Sequence, residues 1–464
     1  MIAYYFPPEG SAGSYRPLRF VRHLAKNGWC TSVIAAESNR YERYDPELLS
    51  SVPSETKVVR VRARDPWQAL QSWREQRFNQ AVSSVSVKIA DQTREAQHKP
   101  LRSLVRSAVR TAEACFYQPD LAKHWIPPAV EATTELCRRE RADVIWASAG
   151  PVSAWLVARQ ASRRVGVPYV LDLRDPHGLS YYDVEIRRPN WVQRKNWHTM
   201  YQLFRGARSV VFLFDSVAES YCRAFPGALD PNKIHIIANG YEGAIEAFAP
   251  PDEAKFTVLY TGTLSSYRYD TFLQALVLLK NSDPEKARTF RFRFVGENME
   301  DLAKQSATLG LSDLVETRGP TSHAEIARLQ RQSHALLVFG RPSTVRGHEL
   351  VAGAKLFCYL KVRRPILGVL PADETKKILH GLGLSTVADV ESPQDIVALL
   401  RRALDAWSTQ RLSSLLPDLS ACEMYSAERQ TAALSRALAG VPMERPFVPG
   451  ARGLPPSLQA RFGR

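Results

Sequence analysis

The sequence predicts an α/β protein made of two Rossmann-like domains that face each other across a cleft. Three observations carry this expectation. Short apolar runs of strand length alternate with helical patterns along most of the 464 residues. Such alternation gives parallel sheets with helices on both faces and right-handed crossovers. The pattern restarts after a stretch of small, acidic and proline residues at 241–254, so each half forms its own sheet. Several strands also run into turns of Gly, Ser and Ala, where a ligand can approach the backbone at the carboxyl ends of parallel strands.

Composition narrows the classes. There are 62 Lys+Arg against 47 Asp+Glu, a formal net charge of +15, and 45% hydrophobic residues. That is enough apolar material for two cores of ordinary size. No run of about 18 apolar residues suggests a membrane span. The first residues lack the basic, apolar and small-residue order of a secretory signal. The six cysteines form no CxxC and no Cys/His cluster, which points to reduced thiols and no zinc site. The positive charge favours acidic substrates or an anionic leaflet. Nucleic acid is disfavoured, because no zinc finger, RNP-type strand or basic zipper region is present.

In the first half, Met1–Phe6 reads as a strand and Pro7–Ser14 as a turn of small residues. A helix follows from Tyr15 to Asn27, with Leu18, Val21, Leu24 and Ala25 inside and Gly28 as its C′ residue. Thr31–Ala36 and Val58–Val61 are the next strands. The polar stretch to about Arg141 has few strand signals. Within it, Leu101, Leu104, Val105, Ala108, Val109 and Ala112 keep helical spacing, while Arg102, Arg106 and Arg110 share another face. Such a helix either packs on its own domain or lies on an anionic membrane. Asp143–Ser148 is a strand ending in Ala149-Gly150-Pro151, and Val152–Val165 a helix closed by Gly166. Val167–Leu173 is a strand with Arg174-Asp175-Pro176-His177 at its carboxyl end, so both turns point into one crevice. Asp175 either orients or deprotonates an acceptor hydroxyl, or pairs with Arg174 to fix the loop; His177 is a second candidate for proton transfer. Trp191–Arg205 reads as a helix and Ser209–Phe214 as a strand. Asp215-Ser216 reads as the N-cap of a helix over Val217–Ala224, and Lys233–Ala238 as the last strand.

The second half opens with the strand Phe256–Tyr260 and the turn Thr261-Gly262-Thr263-Leu264. A helix over Thr271–Lys280, strands at Phe290–Val295 and Leu314–Thr317, and a helix over His323–Gln332 follow. Ser322 and Glu325 form a capping box for that last helix. After the strand Ala335–Phe339, the stretch Gly347–Leu360 reads as a loop feeding a helix whose N-terminus lies at Gly353-Ala354. Its apolar face is Leu356, Phe357, Tyr359 and Leu360, and Pro365–Leu370 is a buried strand. A small-residue loop entering a helix leaves backbone N–H groups free, a ready site for phosphate, and Lys355 adds a charge. Thr386–Val390 is the last strand. Ser392-Pro393 starts a helix to Trp407, Tyr425–Leu438 is a terminal helix, and a disordered basic tail begins at Val441.

Several of these stretches resemble family-4-like glycosyltransferases with the GT-B fold. Lys355-Leu356-Phe357, Tyr359-Leu360 and Pro365-Ile366-Leu367 match the family's sugar-nucleotide segment, and Tyr4 to Arg16 resembles its opening glycine loop. Ala142 to Pro176, Asn239-Gly240 and Tyr260-Thr261-Gly262 resemble further family segments, so the likeness runs to about Leu438. The resemblance implies transfer of a sugar from a nucleotide-sugar donor to a glycan or lipid-linked acceptor in cell-envelope synthesis. It implies retaining stereochemistry and neither metal nor cofactor. It also implies a cytoplasmic location, peripheral on the inner membrane face. Carried over residue by residue, Gly13, Arg16, Gly262, Arg268, Glu349 and Lys355 serve the donor, and Asp175 and His177 the catalytic step. The implied division is 1–240 for an acceptor-side domain, 241–254 for the linker and 255–410 for a donor domain. A helical segment at 411–440 crosses back, and 441–464 is the tail.

Three positions depart from the family. The acid that bonds the nucleotide ribose falls on Cys358, its acidic companion falls on Leu350 with Glu349 one place off, and an arginine after the glycine turn falls on Thr263. Arg268 is then the nearest cation. These departures leave open a non-catalytic transferase-like subunit, and the scaffold also suits a sugar-nucleotide epimerase. The first strand begins almost at Met1, where the family has several residues before it, which implies a natural start further upstream.

Overall fold

A computed structural model describes residues 1–37, 43–63, 118–177, 190–264, 267–341, 350, 352–444 and 447. The first half holds strands β1 (Ile2–Ala3), β2 (Ser32–Ala36), β3 (Lys57–Val61), β4 (Ile145–Ser148), β5 (Tyr169–Leu173), β6 (Ser209–Phe212) and β7 (Ile234–Ile236). They form one parallel sheet in the order β3-β2-β1-β4-β5-β6-β7. The second half holds β8 (Phe256–Thr261), β9 (Phe290–Val295), β10 (Val315–Arg318), β11 (Ala335–Phe339), β12 (Ile366–Leu370) and β13 (Val387–Asp389). These form a second parallel sheet in the order β10-β9-β8-β11-β12-β13. The central strands are buried on both faces, which is why they read as continuous apolar runs rather than alternating ones. Strand order reverses between β1 and β4 in one sheet and between β8 and β11 in the other. The carboxyl ends of these strands are where ligands gather in such sheets.

The helices that matter below are α1 (Ala12–Leu24), α2 (Ile126–Glu140), α3 (Ser153–Val165), α4 (Asn190–Gly206), α5 (Asp215–Ala224) and α6 (Tyr269–Ser282). They continue with α7 (Met299–Thr308), α8 (His323–Arg331), α9 (Ala354–Val362), α10 (Glu374–Gly381), α11 (Pro393–Ser408) and α12 (Ala427–Ala439). Gly28 and Gly166 take left-handed conformations at φ 80° and 75°, as helix-ending glycines do. The Ser322 hydroxyl accepts from the Glu325 amide at 3.3 Å, so the expected cap of α8 forms. Among the described residues no helix is long and apolar enough to cross a membrane.

The terminal helix α12 returns to the first domain. Leu434, Ala437 and Leu438 are buried with Phe20, Leu24, Trp146, Val170, Val211 and Ile237, and the Trp29 indole N–H donates to the Ser435 hydroxyl at 2.8 Å. The linker is pinned to the same segment: the Tyr241 amide donates to the Tyr425 carbonyl at 3.0 Å, and the Ala427 amide to the Tyr241 carbonyl at 2.8 Å. Gly240 is required here, because a Cβ on it would strike the Tyr425 carbonyl.

Some local expectations need correction. Helix α2 was not foreseen. Its buried face of Ile126, Ala129, Val130, Thr133, Leu136 and Cys137 has helical spacing, but Pro127 and Pro128 read as breakers; they sit in the first turn, where a missing N–H costs nothing. Helices α7 and α10 were also missed. Helix α5 starts at Asp215 itself with Phe214 as N-cap and no side-chain cap, so Asp215-Ser216 is not the cap. The basic helix expected over 101–112 and the tail from 448 onward lie outside the described residues.

Candidate functional site

The loop from β1 into α1 forms one wall of the cleft. It is held by charged side chains that bond its backbone. The buried Glu9 carboxylate accepts from the Ser11 amide at 3.0 Å, and Arg60 donates to the Pro7 carbonyl. Among the described residues the amides of Ala12 and Gly13, at the open end of α1, meet no acceptor. Free helix N-terminal amides attract anions. Arg174, just past β5, donates to the Gly13 carbonyl and, at 3.4 Å, to the Gly150 carbonyl; its Nε lies 3.6 Å from the Asp175 carboxylate.

Arg16 is not on that wall. Its guanidinium is buried and engages the Asp172 carboxylate through Nε at 3.1 Å and Nη2 at 2.9 Å. The remaining donors reach the Ile237 carbonyl at 2.8 Å, the Ala238 carbonyl at 2.9 Å and the Asn239 side chain at 3.3 Å. All of its N–H groups are thus engaged inside the first domain, and none is left for a donor phosphate. The expectation from the sequence is corrected on this point.

The opposite wall is built by β8 and α9. Lys355 sits in the first turn of α9, and its ammonium donates to the Tyr260 hydroxyl at 2.9 Å and lies 4.4 Å from the centroid of that ring. Tyr260 passes the bond on, donating to the Thr263 carbonyl at 3.0 Å, which fixes the turn after β8. Gly262 has φ +116°, a conformation that favours glycine, and a Cβ on it would run into the Lys355 side chain. Among the described residues no carboxylate pairs with Lys355. Burial lowers its pKa from 10.5 to about 8, so the ammonium is still mostly charged at neutral pH. Burial also pushes the Tyr260 phenol upward, keeping it a neutral relay.

The two walls touch at one rim. The Tyr15 hydroxyl and His323 Nε2 are 2.8 Å apart, and Arg43 Nη2 lies 3.5 Å from the Glu297 carboxylate. Glu297 in turn accepts from the Thr263 hydroxyl at 3.3 Å.

The other predicted residues scatter. Arg268 is half-exposed in a surface ion pair, 3.2 Å from Asp270 and 3.8 Å from Glu391; a pair this exposed leaves the guanidinium free to turn, so its assignment to the donor stands as a proposal. Asp175 is exposed at the end of β5, and its carbonyl accepts from the His177 amide at 2.8 Å. The His177 ring packs edge-on against Trp155 at 5.6 Å, and its carbonyl accepts from the Tyr221 hydroxyl at 2.5 Å. Nearby, Asp120 accepts from the Ser153 amide at 2.8 Å and hydroxyl at 2.6 Å, and burial raises its pKa. Glu349 lies outside the described residues. Sequence reasoning missed Tyr260, Tyr15, His323 and the reach of Arg174. Tyr260 had a signal, because it lies on a buried strand two residues before the turn glycine Gly262.

A model of the glycosyl transferase 4-like domain matches residues 13–240. The chain carries a family-4-like glycosyltransferase domain on a GT-B fold. A structure of HepE from Anabaena in complex with UDP superposes with a TM-score of 0.56 at 13% identity, over 91% of this chain and 95% of that one. WaaG, described as a glycosyltransferase involved in lipopolysaccharide biosynthesis, gives 0.52 at 13% identity over 95% and 99% of the two chains. Sucrose-phosphate synthase from Thermosynechococcus elongatus gives 0.58 at 11% identity over 94% and 96%. Among curated proteins none matches in sequence. Of the two positions where the resemblance expects acids, Leu350 is buried in the core and Cys358 is an exposed residue on α9.

Proposed function

We propose that the chain transfers a sugar from a nucleoside diphosphate sugar to an acceptor hydroxyl, with retention, in the synthesis of a cell-envelope polysaccharide or glycolipid. One observation carries the reading. Lys355 is a half-buried ammonium with no carboxylate partner among the described residues, seated against a glycine turn, and the loop that presents free helix amides forms the other wall. That arrangement waits for an anion of the size and charge of a diphosphate. A departing nucleoside diphosphate gains negative charge as the glycosidic bond breaks, and preorganised cations and amides stabilise it. HepE was crystallised with UDP and with UDP-glucose, which supports a uridine nucleotide as the first donor to try. On the opposite side, the exposed Asp175 is the group we assign to the acceptor hydroxyl, and His177 stiffens its turn. The net charge of +15 suits an acceptor on an anionic membrane; sedimentation with anionic liposomes at low salt, reversed by high salt, tests that part.

The central test is a thermal-shift titration with UDP, GDP and ADP. At least one is expected to raise the Tm, and a protein indifferent to all three refutes the reading. Cys358 and Leu350 favour a second reading, a subunit that binds nucleotide without turnover. Nucleotide binding with no sugar transfer across a broad acceptor panel decides for it. A new sugar nucleotide formed with no acceptor present decides instead for an epimerase.

A further inference from the structure

We propose that Arg174 is a positioning residue for the donor diphosphate, and that Gly13 is a glycine chiefly to make room for it. The inference rests on the donor reading above and adds a residue to the same site. A glycine beside a phosphate is usually explained by close approach of the ligand to the backbone. The geometry at Gly13 says otherwise. A Cβ there would lie 2.8 and 2.9 Å from the two terminal nitrogens of Arg174, and 3.0 Å from the Tyr5 ring. The space a side chain would fill is already taken by a guanidinium, not by the open cleft. Gly150, at φ +99°, is in the same position: its Cβ would also strike Arg174.

Arg174 thereby spans the point where the first sheet changes direction. From the end of β5 it donates to the Gly13 carbonyl, on the loop after β1, and to the Gly150 carbonyl, on the loop after β4. Its guanidinium lies 5.8 Å from the Tyr5 ring centroid, and Asp175 at 3.6 Å balances part of its charge. With the Gly13 carbonyl drawn toward Arg174, the amides of Ala12 and Gly13 are held at the open end of α1. The fixed cation beside that helix end deepens the positive potential there. Arg174 acts on the phosphates through α1 and does not need to touch them.

A double-mutant cycle on the full chain tests this, with UDP and uridine as probes. R174Q and G13A are each expected to weaken UDP about tenfold and to leave uridine unchanged. Because both remove the same contact, G13A in the R174Q background adds little, and the double variant stays near tenfold rather than a hundredfold. G13A keeps helical backbone angles, so it remains informative if R174Q folds poorly. Equal losses for UDP and uridine, full additivity, or unaltered UDP binding in a wild type that binds it would each overturn the proposal while leaving the donor reading intact. A wild type that binds none of the three diphosphates overturns the donor reading first.

Discussion

Replacing Lys355 by methionine is expected to stabilise the free protein while removing its response to nucleotide. The magnitude follows from burial. A fall in pKa from 10.5 to about 8 corresponds to roughly 3 kcal/mol of unfavourable burial at neutral pH. The cation–π contact with Tyr260 returns about 1 kcal/mol of that, and partial solvent access reduces the remainder. The net gain for K355M is about 1–2 kcal/mol, a Tm rise of roughly 3–6 °C for a domain of this size. The pH dependence has a definite sign. Between about pH 8 and 10.5 the unfolded lysine holds a proton that the folded one has released, so wild-type stability rises with pH across that window. The advantage of K355M should therefore shrink between pH 7 and pH 10. Circular-dichroism melts at both pH values, with and without UDP, measure all three effects. A variant that melts below wild type at pH 7, or whose advantage is unchanged at pH 10, refutes the picture of a buried ammonium awaiting its anion.

The remaining predictions concern protons and buried charge. At pH 8 Lys355 is near half-protonated, so binding UDP should take up a fraction of a proton; calorimetry in phosphate and Tris buffers should give different enthalpies, and K355M should lose the difference. Substituting D172N leaves Arg16 buried without its carboxylate, which should cost about 3–5 kcal/mol in a urea titration; a loss under 1 kcal/mol contradicts the role given to that pair. Asp373 caps α10 through the Lys376 amide at 2.9 Å, and burial lifts its pKa to about 7. Its contribution is complete below about pH 4 and is lost as pH rises through 7, so D373N should gain about 1–3 kcal/mol at pH 8 and nothing at pH 4. Equal melting of D373N and wild type at pH 8 would rule this out.

The thirteen strands among the described residues were legible because the central ones are short apolar runs bounded by turns, while the edge strands β3 and β10 keep fewer apolar residues. The meeting of Lys355 with the Gly262 turn was half legible for a related reason: both sit at strand or helix ends, which local pattern marks. The cations were not. A sequence shows that an arginine lies near a glycine loop, but not which way its side chain turns. Arg16 turns inward because Asp172, 156 residues away, waits at the end of β5. Arg268 pairs at the surface with Asp270 two residues on and with Glu391 much further along. Conversely, Gly13 was assigned to the site, but the cause of its being glycine lies in Arg174, 161 residues later. Pairings of that separation leave no periodic trace.

One helix connects these facts. Along a single face of α1, Arg16 holds the carbonyls of Ile237 and Ala238, and Arg19 donates to the Gly240 carbonyl at 2.6 Å. Further along, Arg22 and His23 reach the Glu242 carboxylate at 3.0 and 3.1 Å. Spacings of three and four residues place these groups in line, so the helix grips the end of the first domain and the start of the linker in order. Burial, reinforced by the neighbouring Arg16, lowers the Arg19 pKa to about 10, and two of its donor nitrogens have no partner among the described residues. Charge kept inside at that cost serves geometry more than stability. The amino end of the same helix is the wall held by Arg174, and its next residues place Tyr15 against His323 of the other domain. Turning the second domain about the linker therefore parts Tyr15 from His323, at the amino end of the helix that grips the linker's start. One helix thus meets the second domain at its amino end and ties down the end of the first domain along its length, by a cationic stripe whose partners are the protein's own carbonyls and carboxylates.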